Sequence, residues 1–333
     1  MTDYLKDKGS KWQSGVAGAT SGIVSRFVIA PLDVVKIRLQ LQSHSLSDPL
    51  SLTKLPPGSP VYKGLLRTAQ DIVRGEGITA LWKGNIPAEL LYMVYAGVQF
   101  TTYRTTAQLI RPWLDDGKNA SRVDSKVSWI SGAAAGMTAT TVSYPLDLLR
   151  TRFAAQGNDK VYKSFLRAFG EIYQSEGLRG FFRGIAPTLL NAGPGMGIYF
   201  LTYEAIRPPD VRKGEDESRR VLPQMPWGFD KFLAGSASSF IAKSLVFPFD
   251  VVRKRMQVQG PTRSRYIHKN IPEYSGTISA IRTILAKEGV RSFYRGLFVT
   301  LLKHAPASGV TLWVYESTLR ALIKLDEVVE GDL

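Results

Sequence analysis

The feature that most constrains this chain is a charged segment that occurs three times. Each copy begins with Pro, has Asp two residues later, and carries Lys or Arg three and five residues after the Asp. A second signature follows each copy and consists of Glu-Gly, four further residues, an aromatic residue, a basic residue and Gly. The first signature lies at residues 31–38, 145–152 and 248–255, and the second at 76–84, 176–184 and 288–296. Paired signatures in the same order predict three copies of one supersecondary unit.

Six stretches of about twenty residues, the length that crosses the hydrocarbon core of a bilayer, carry almost no charge. They are residues 13–32, 86–103, 127–146, 184–203, 232–249 and 297–315. Small residues recur four apart in three of them: Gly18 and Gly22, Gly132 and Gly136, and Gly235 and Ser239. This spacing is typical of helices that approach closely in lipid. The alternative is a set of Ala- and Gly-rich core helices in a soluble protein, but six such stretches favour membrane helices.

These patterns predict an all-α membrane protein with six transmembrane helices in three tandem repeats. We expect the Pro of each first signature to bend its helix, and short amphipathic helices at residues 67–74, 167–174 and 278–287 to lie along the membrane face. The bent helices would converge about a pseudo-threefold axis. The expected organisation is an N-terminal tail (1–12), repeat 1 (13–110), repeat 2 (127–207), a linker (208–226), repeat 3 (227–322) and a C-terminal tail (323–333). The purpose of loop 43–60 and of the linker cannot be read from their residues.

The net charge of +15 is compatible with a nucleic acid, an anionic membrane surface or an anionic small molecule as partner. Almost all of this excess falls in residues 33–83, 147–183 and 250–295, which lie on one side of the proposed membrane. A basic nucleic-acid-binding protein is therefore the less favoured alternative. The chain has no Cys and three His, and no nucleophile–base pair or metal-ligand cluster stands out, so we expect neither an enzyme nor a metal site.

The triplicate signatures resemble those of the mitochondrial carrier family over nearly the whole chain. The resemblance implies a monomeric transporter of the mitochondrial inner membrane that alternates access between two sides, with both termini toward the intermembrane space. It also implies a matrix gate of three ion pairs between repeats, formed by Asp33 with Arg150, Asp147 with Arg253 and Asp250 with Lys36. The family often has a Gln four residues beyond each base as a brace. Gln40 and Gln257 fit this pattern, and Ala154 departs from it.

The resemblance further implies a cytoplasmic gate near the ends of the even-numbered transmembrane helices, written Tyr-acid-x-x-base. Tyr203, Glu204 and Arg207 match this pattern in full. Tyr315 and Glu316 are followed by Leu319 instead of a base, and Tyr103 is followed by Arg104 instead of an acid. We expect a weak outer network in which Arg104 and Glu204 can pair. Cardiolipin, as a structural lipid and the only cofactor-like group, is expected at helix N-termini near six small residues: Gly64, Gly84, Ser164, Gly184, Gly276 and Gly296.

Ionisable side chains inside membrane spans mark a transport path by default. Arg26 and Lys243 each lie five residues before the Pro of a first signature, and Lys303 and His304 lie within the last apolar stretch. We expect Arg26, Lys243 and either Lys303 or His304 to clamp a multiply charged anion, with snorkelling to the interface as the alternative for Arg26 and Lys243. Asn191 and Tyr95 are expected to contact rings of the substrate. Glu89 is expected either to face a cationic ring or to help begin its helix.

Within the family, the second and fourth transmembrane helices most resemble fungal carriers of thiamine pyrophosphate. The substrate that this resemblance implies is an anion with two phosphates and rings, exchanged for nucleotides. Coenzyme A or adenine nucleotides are the alternative substrates, although Lys254 interrupts the run of three Arg that is typical of ADP/ATP exchangers.

Overall fold

The computed structural model describes residues 10–43, 62, 64–114, 120–206, 229–269 and 271–331. Most of loop 43–60, all of linker 208–226 and Arg207 therefore lie outside the described residues. Within the described ranges the chain is helical and contains no β-strand. The all-α class expected from the sequence is confirmed.

Ten α-helices are described. They are α1 (Lys11–Leu41), α2 (Leu65–Glu76), α3 (Asn85–Leu114), α4 (Ala120–Ala154), α5 (Phe165–Phe181), α6 (Ile185–Ile206), α7 (Phe229–Gln257), α8 (Thr277–Glu288), α9 (Leu297–Leu302) and α10 (His304–Gly331). Short 3₁₀ turns occur at Ile78–Trp82, Arg263–Arg265 and Val290–Tyr294. Each apolar stretch lies in one long helix, except that Lys303 separates α9 from α10 in the last one. The three short amphipathic helices are α2, α5 and α8.

The long helices form a closed ring. Helix α3 packs on α4, α6 on α7, and α10 on α1, so that the last helix of each repeat meets the first helix of the next. At the point of closure, Gln13 on α1 donates a hydrogen bond to Asp326 Oδ2 on α10 at 2.6 Å. Deeper in the same seam, Ser25 donates to the carbonyl of Ala307 at 3.1 Å. The three repeats therefore share one assembly.

Each first-signature Pro lies inside a long helix: Pro31 in α1, Pro145 in α4 and Pro248 in α7. A Pro in a helix interior leaves the carbonyl four residues earlier without its backbone donor. For Pro31 that carbonyl belongs to Phe27, and the indole Nε1–H of Trp82 donates to it at 2.9 Å. The aromatic residue of the second signature thus compensates the bend of α1 in repeat 1.

The apolar core lies at the end of the ring where the short helices dock. Buried side chains there come from the C-terminal halves of α1, α4 and α7 together with the short helices, and include Val35, Ile72, Leu148, Ile172 and Ile284. Along the other half of the long helices, large apolar side chains face outward instead, among them Phe100, Trp129 and Leu245. The ring is consequently packed at one end and surrounds a cavity above it.

Two helical stretches of the described residues, Trp12–Leu41 and Val290–Asp326, are long and apolar enough to cross a bilayer by length and composition. The four other long helices fall short of this test, in keeping with their many Gly, Ser and Thr residues. At two of the three small-residue pairs the predicted close contact is not made, whereas at the third a Cβ on Gly235 would lie 4.0 Å from Cε2 of Tyr203 on α6. A Cβ placed on Gly18, Gly22, Gly132 or Gly136 would meet no heavy atom of another element within 4 Å, because these faces do not pack against a neighbouring helix.

Candidate functional site

A cavity of about 370 Å³ lies along the axis of the ring. All six long helical segments contribute to its wall: α1, α3, α4, α6, α7 and the segment formed by α9 and α10. Its floor is formed by the three first-signature aspartates and six basic side chains: Lys36, Arg150, Lys243, Arg253, Lys254 and Lys303. Higher up, Tyr92, Tyr95, Asn191 and His304 line the wall. The site therefore combines a strongly charged floor with aromatic and amide groups above it.

Asp33 joins repeats 1 and 2 at the floor. One carboxylate oxygen accepts from Arg150 at 2.5 Å, and the other accepts from Lys303 at 2.7 Å. Arg150 also donates to the hydroxyl of Tyr92 at 3.3 Å. The expected pair of Asp33 with Arg150 is present, and Lys303 adds a contact that the sequence reasoning missed.

Asp147 joins repeats 2 and 3 through the most fully braced of the three pairs. Arg253 lies 2.7 Å from its carboxylate and Lys254 lies 3.2 Å from it. The Gln257 side chain donates to the same carboxylate and accepts from Lys254 at 3.0 Å and from Thr151 at 2.6 Å. Gln257 thus occupies the bracing position that the pattern predicts.

Asp250 joins repeats 3 and 1, and its close partner is Lys36 at 2.8 Å. The expected brace by Gln40 is not made. The side chain of Gln40 is fully buried, and neither its Nε2 nor its Oε1 has a hydrogen-bond partner among the described residues. The reason is its direction, since its Cγ packs against Gly296. We refer to the three pairs Asp33–Arg150, Asp147–Arg253 and Asp250–Lys36 as the floor ion pairs.

The floor ion pairs are nearly dry, because the side chains of Asp33, Asp147 and Asp250 are 11%, 7% and 7% exposed. Bringing charges out of water costs several kcal/mol per ion, and their attraction repays this only in part. Removing one partner leaves an uncompensated buried charge and is strongly unfavourable. The arrangement can therefore hold three repeats together at one end and still separate, provided that the charges regain water or other partners.

Two of the seven expected substrate contacts, Arg26 and Glu89, are absent from the described cavity wall. The guanidinium of Arg26 stacks on the ring of Tyr92, 3.3 Å from its centroid, and this cation–π contact keeps it beside the cavity. Glu89 is also absent from the described lining, and its Oε1 is buried without a hydrogen-bond partner there. The other five expected contacts, Lys243, Lys303, His304, Asn191 and Tyr95, all line the cavity. The side-chain amide of Asn191 donates a hydrogen bond to the backbone carbonyl of Val246 at 3.1 Å.

The residues expected to form the cytoplasmic gate make only local contacts in the described ranges. The Tyr103 hydroxyl lies 3.4 Å from that of Ser128, and Tyr203 stacks on Tyr199. Arg104 lies over the ring of Phe100, rather than in a described ion pair with Glu204. On the last helix, beside Tyr315, Glu316 accepts from Arg320 one turn later at 3.1 Å. Arg104 and Glu204 are thus not paired with each other among the described contacts, and their pairing stays a prediction for the state in which this end of the ring is closed.

Comparison with known proteins identifies the chain's relatives. The family profile described as "Mitochondrial carrier protein" matches residues 7–112, 123–208 and 226–326, one match for each repeat. The chain belongs to the mitochondrial carrier family. Curated relatives named "Mitochondrial thiamine pyrophosphate carrier 1" include a Pyricularia oryzae protein, 58% identical over 97% of this chain and 96% of its own length. Proteins with the same name from Neurospora crassa and Aspergillus terreus are 53% and 52% identical and cover 99% of this chain, at 97% and 98% of their own lengths.

In this carrier the second base of each first signature also has a partner, which sequence reasoning left unassigned. Arg38, Arg152 and Arg255 are completely buried. Each of these arginines forms an ion pair with the Glu of the second signature in its own repeat, and the basic residue before the final Gly forms a second ion pair with the same Glu. We call these sets the triads: Arg38–Glu76–Lys83, Arg152–Glu176–Arg183 and Arg255–Glu288–Arg295. The signal that reveals these contacts is the co-occurrence of both signatures in all three repeats of the carrier.

The triads fix the positions of the short helices α2, α5 and α8 of the carrier. Burial alone would raise the pKa of Glu76, but the hydrogen bonds from Arg38 and Lys83 hold it below its usual value. Glu76 therefore stays ionised and ties α2 to the end of α1. Because the triads lie beneath the floor ion pairs, they determine the position of the helix ends that carry them.

Proposed function

We propose that this protein transports thiamine pyrophosphate across the mitochondrial inner membrane by alternating access, as an exchanger against nucleotides. The observation that carries the proposal is the charge of the cavity floor: a surplus of cations lies beneath aromatic and amide side chains. A diphosphate group satisfies the cations, and a ring system suits Tyr92, Tyr95 and Asn191. The relatives with that printed name, which align with nearly the full chain, support the same substrate.

In this proposal the six long helical segments cross the membrane, with both termini toward the intermembrane space, and the chain works as a monomer. The outward-facing apolar side chains on half of each long helix support this arrangement, because they suit lipid better than water. The three short helices lie on the matrix side, where the basic connections are concentrated.

The floor ion pairs act as the matrix gate. They close the matrix end while substrate enters from the intermembrane space, and they separate when the cavity turns toward the matrix. The cytoplasmic gate, formed by Tyr103, Arg104, Tyr203, Glu204, Tyr315 and Glu316, then closes the other end. Because its charges are incomplete in two repeats, this gate is the weaker of the two.

Anionic lipid is a proposed structural partner on the matrix side. The N-caps of α2, α5 and α8 are Gly64, Ser164 and Gly276, each of which precedes free backbone amides. Helix N-termini attract phosphate through those amides and the helix dipole. Gly84, Gly184 and Gly296 lie in the same way just before the first residues of α3, α6 and α9. Cardiolipin has two phosphates, which suits two neighbouring sites of this kind. The proposal fails if cardiolipin protects the purified protein against heat no better than a zwitterionic lipid.

Reconstitution into liposomes tests the substrate. Labelled thiamine pyrophosphate should enter in exchange for internal thiamine pyrophosphate or nucleotide, and thiamine without phosphates should not. Loss of a charge-assisted hydrogen bond costs about 1.5–3 kcal/mol, so Lys243→Ala should weaken uptake roughly ten- to a hundredfold. The matched control is Lys160→Ala, on an exposed residue at the matrix surface. Exchange of coenzyme A or adenine nucleotides without any uptake of thiamine pyrophosphate would overturn the assignment.

A further inference from the structure

Each carboxylate of the floor ion pairs is held by two cations, not one. The first is its partner across the repeats, and the second comes from elsewhere in the cavity. Lys303 is the second cation of Asp33 at 2.7 Å, Lys254 that of Asp147 at 3.2 Å, and Lys243 that of Asp250 at 3.9 Å. All three aspartates thus share one pattern, and all three second cations belong to repeat 3, two of them on α7 and one at the junction of α9 and α10.

The second cations account for all of the excess charge at the floor. Among the described residues that line it, six Lys and Arg side chains face three aspartates. An excess of three positive charges in a poorly hydrated site is unfavourable unless anions visit it. The floor is therefore arranged to receive negative charge from a ligand.

The three second cations differ in how freely they can leave their aspartates. Lys254 is enclosed, since it also donates to Thr151 at 2.8 Å and to Gln257 at 3.0 Å, and its side chain is 8% exposed. The side chains of Lys303 and Lys243 are 17% and 30% exposed, and each has one aspartate as its described ion-pair partner.

We propose that Lys303 and Lys243 are shared between the gate and the substrate. An anion that binds them withdraws them from Asp33 and Asp250, so that two of the floor ion pairs lose half of their positive partners as the substrate arrives. A ligand shifts a conformational equilibrium only through its different affinity for the two states, and this exchange of partners supplies that difference. The inference rests on the proposed transport of a diphosphate and explains why two phosphates are needed, one for each lysine.

The experiment compares Lys303→Gln and Lys243→Gln with Arg26→Gln. The first two remove a partner of a gate aspartate, whereas Arg26 contacts Tyr92 and no gate carboxylate. Inorganic diphosphate serves as the binding probe, because it tests the lysines whatever organic group the substrate carries. Lys303→Gln and Lys243→Gln are expected to bind it about tenfold or more weakly, whereas Arg26→Gln, whose side chain lies beside the cavity and not on its wall, should bind it as the unmodified protein does.

Opening of the gate is measured separately with a cysteine reporter. The chain contains no Cys, so Thr140→Cys places a single thiol on the cavity wall at a partly exposed position. In mitoplasts without added substrate, an impermeant maleimide should label this thiol about two- to fivefold more slowly in Lys303→Gln and Lys243→Gln, because a weaker matrix gate favours the inward-facing state. Arg26→Gln should leave the labelling rate unchanged.

Two further variants separate gating from misfolding. Lys303→Arg keeps the charge and should restore the labelling rate. In an Asp33→Asn background, Lys303→Gln should slow labelling no further, since the charge contact is already lost.

The proposal is overturned if Lys303→Gln and Lys243→Gln weaken diphosphate binding but label at the unmodified rate, or if Arg26→Gln slows labelling equally. If the labelling results hold but thiamine pyrophosphate is not transported, the substrate assignment fails and the shared lysines stand.

Discussion

Gly84 lies directly against the backbone carbonyl of Arg150. A Cβ on Gly84 would stand 2.6 Å from that oxygen, and Gly84 has a φ of +86°. The turn that ends the second signature of repeat 1 therefore touches the gate base of repeat 2. Gly184 has the same relation to Arg253 of repeat 3, at 3.1 Å, and Gly296 to Lys36 of repeat 1, at 3.4 Å. The same contact between a signature Gly and the gate base of the next repeat therefore occurs at all three repeat boundaries.

We expect Gly84→Ala to lower the stability of the carrier. The positive φ alone costs about 1–3 kcal/mol for a residue with a Cβ, and the contact with Arg150 adds a displacement of the floor. The measurement is the apparent unfolding temperature of the purified protein in detergent. Gly97→Ala is the matched control, because Gly97 lies in α3, the helix that follows Gly84, with no neighbour within 4 Å, and there Ala should stabilise by about 0.5–1 kcal/mol. Equal effects of the two substitutions would contradict the contact.

Trp82→Phe should destabilise the bend of α1. The substitution keeps an aromatic ring near Phe27 but removes the Nε1–H that donates to the carbonyl released by Pro31. Loss of one such hydrogen bond costs about 0.5–1.5 kcal/mol. The control is Trp113→Phe, at a side chain that is 86% exposed, and its unfolding temperature should match that of the unmodified protein. An unchanged unfolding temperature for Trp82→Phe would show that the released carbonyl finds another donor.

The two glutamines of the brace positions should respond differently to the same substitution. Gln257→Met removes bonds to Asp147, Lys254 and Thr151, so we expect a loss of about 1–3 kcal/mol. Gln40→Met keeps the volume of a buried side chain whose amide makes no described bond, so its effect should be neutral or stabilising. Thermal unfolding in the absence of substrate measures both. A larger loss for Gln40→Met would mean that its amide is bonded in the protein as purified.

Glu76→Gln should make the stability of the carrier less dependent on pH. Because the folded-state pKa of Glu76 is below its unfolded value, the charge contributes stability at neutral pH, and this contribution is lost as pH falls through the folded-state pKa. The difference in unfolding temperature between the unmodified protein and Glu76→Gln should therefore be greatest near pH 7 and shrink in acid. Glu171→Gln, at an exposed position of α5, is the control and should show little difference at either pH. If the difference in unfolding temperature between the two proteins instead grew as the pH fell, the assigned direction of the Glu76 pKa shift would be wrong.

The helical class was predictable from the sequence alone, and the partners of the floor ion pairs followed from the resemblance of the two signatures to those of the mitochondrial carrier family. Three copies of a Pro-x-Asp-x-x-base segment allow few arrangements, because each Pro bends a helix and each acid needs a base from a neighbouring repeat. The second signature likewise predicted short helices that end near Glu76, Glu176 and Glu288. In these cases spacing along one helix or symmetry between repeats carries the information.

The tertiary structure decided what depends on direction and distance between repeats. Gln40 and Gln257 occupy equivalent positions, yet only Gln257 reaches its aspartate, because the Gln40 side chain turns toward Gly296. Arg26 was expected to face the cavity, and its attraction to the ring of Tyr92 moves it aside. Lys303 and Lys254 became second partners of gate aspartates through the packing of helices far apart in sequence. The periodicity of a helix determines which face a side chain occupies, but only the packed ring determines which charge it meets there.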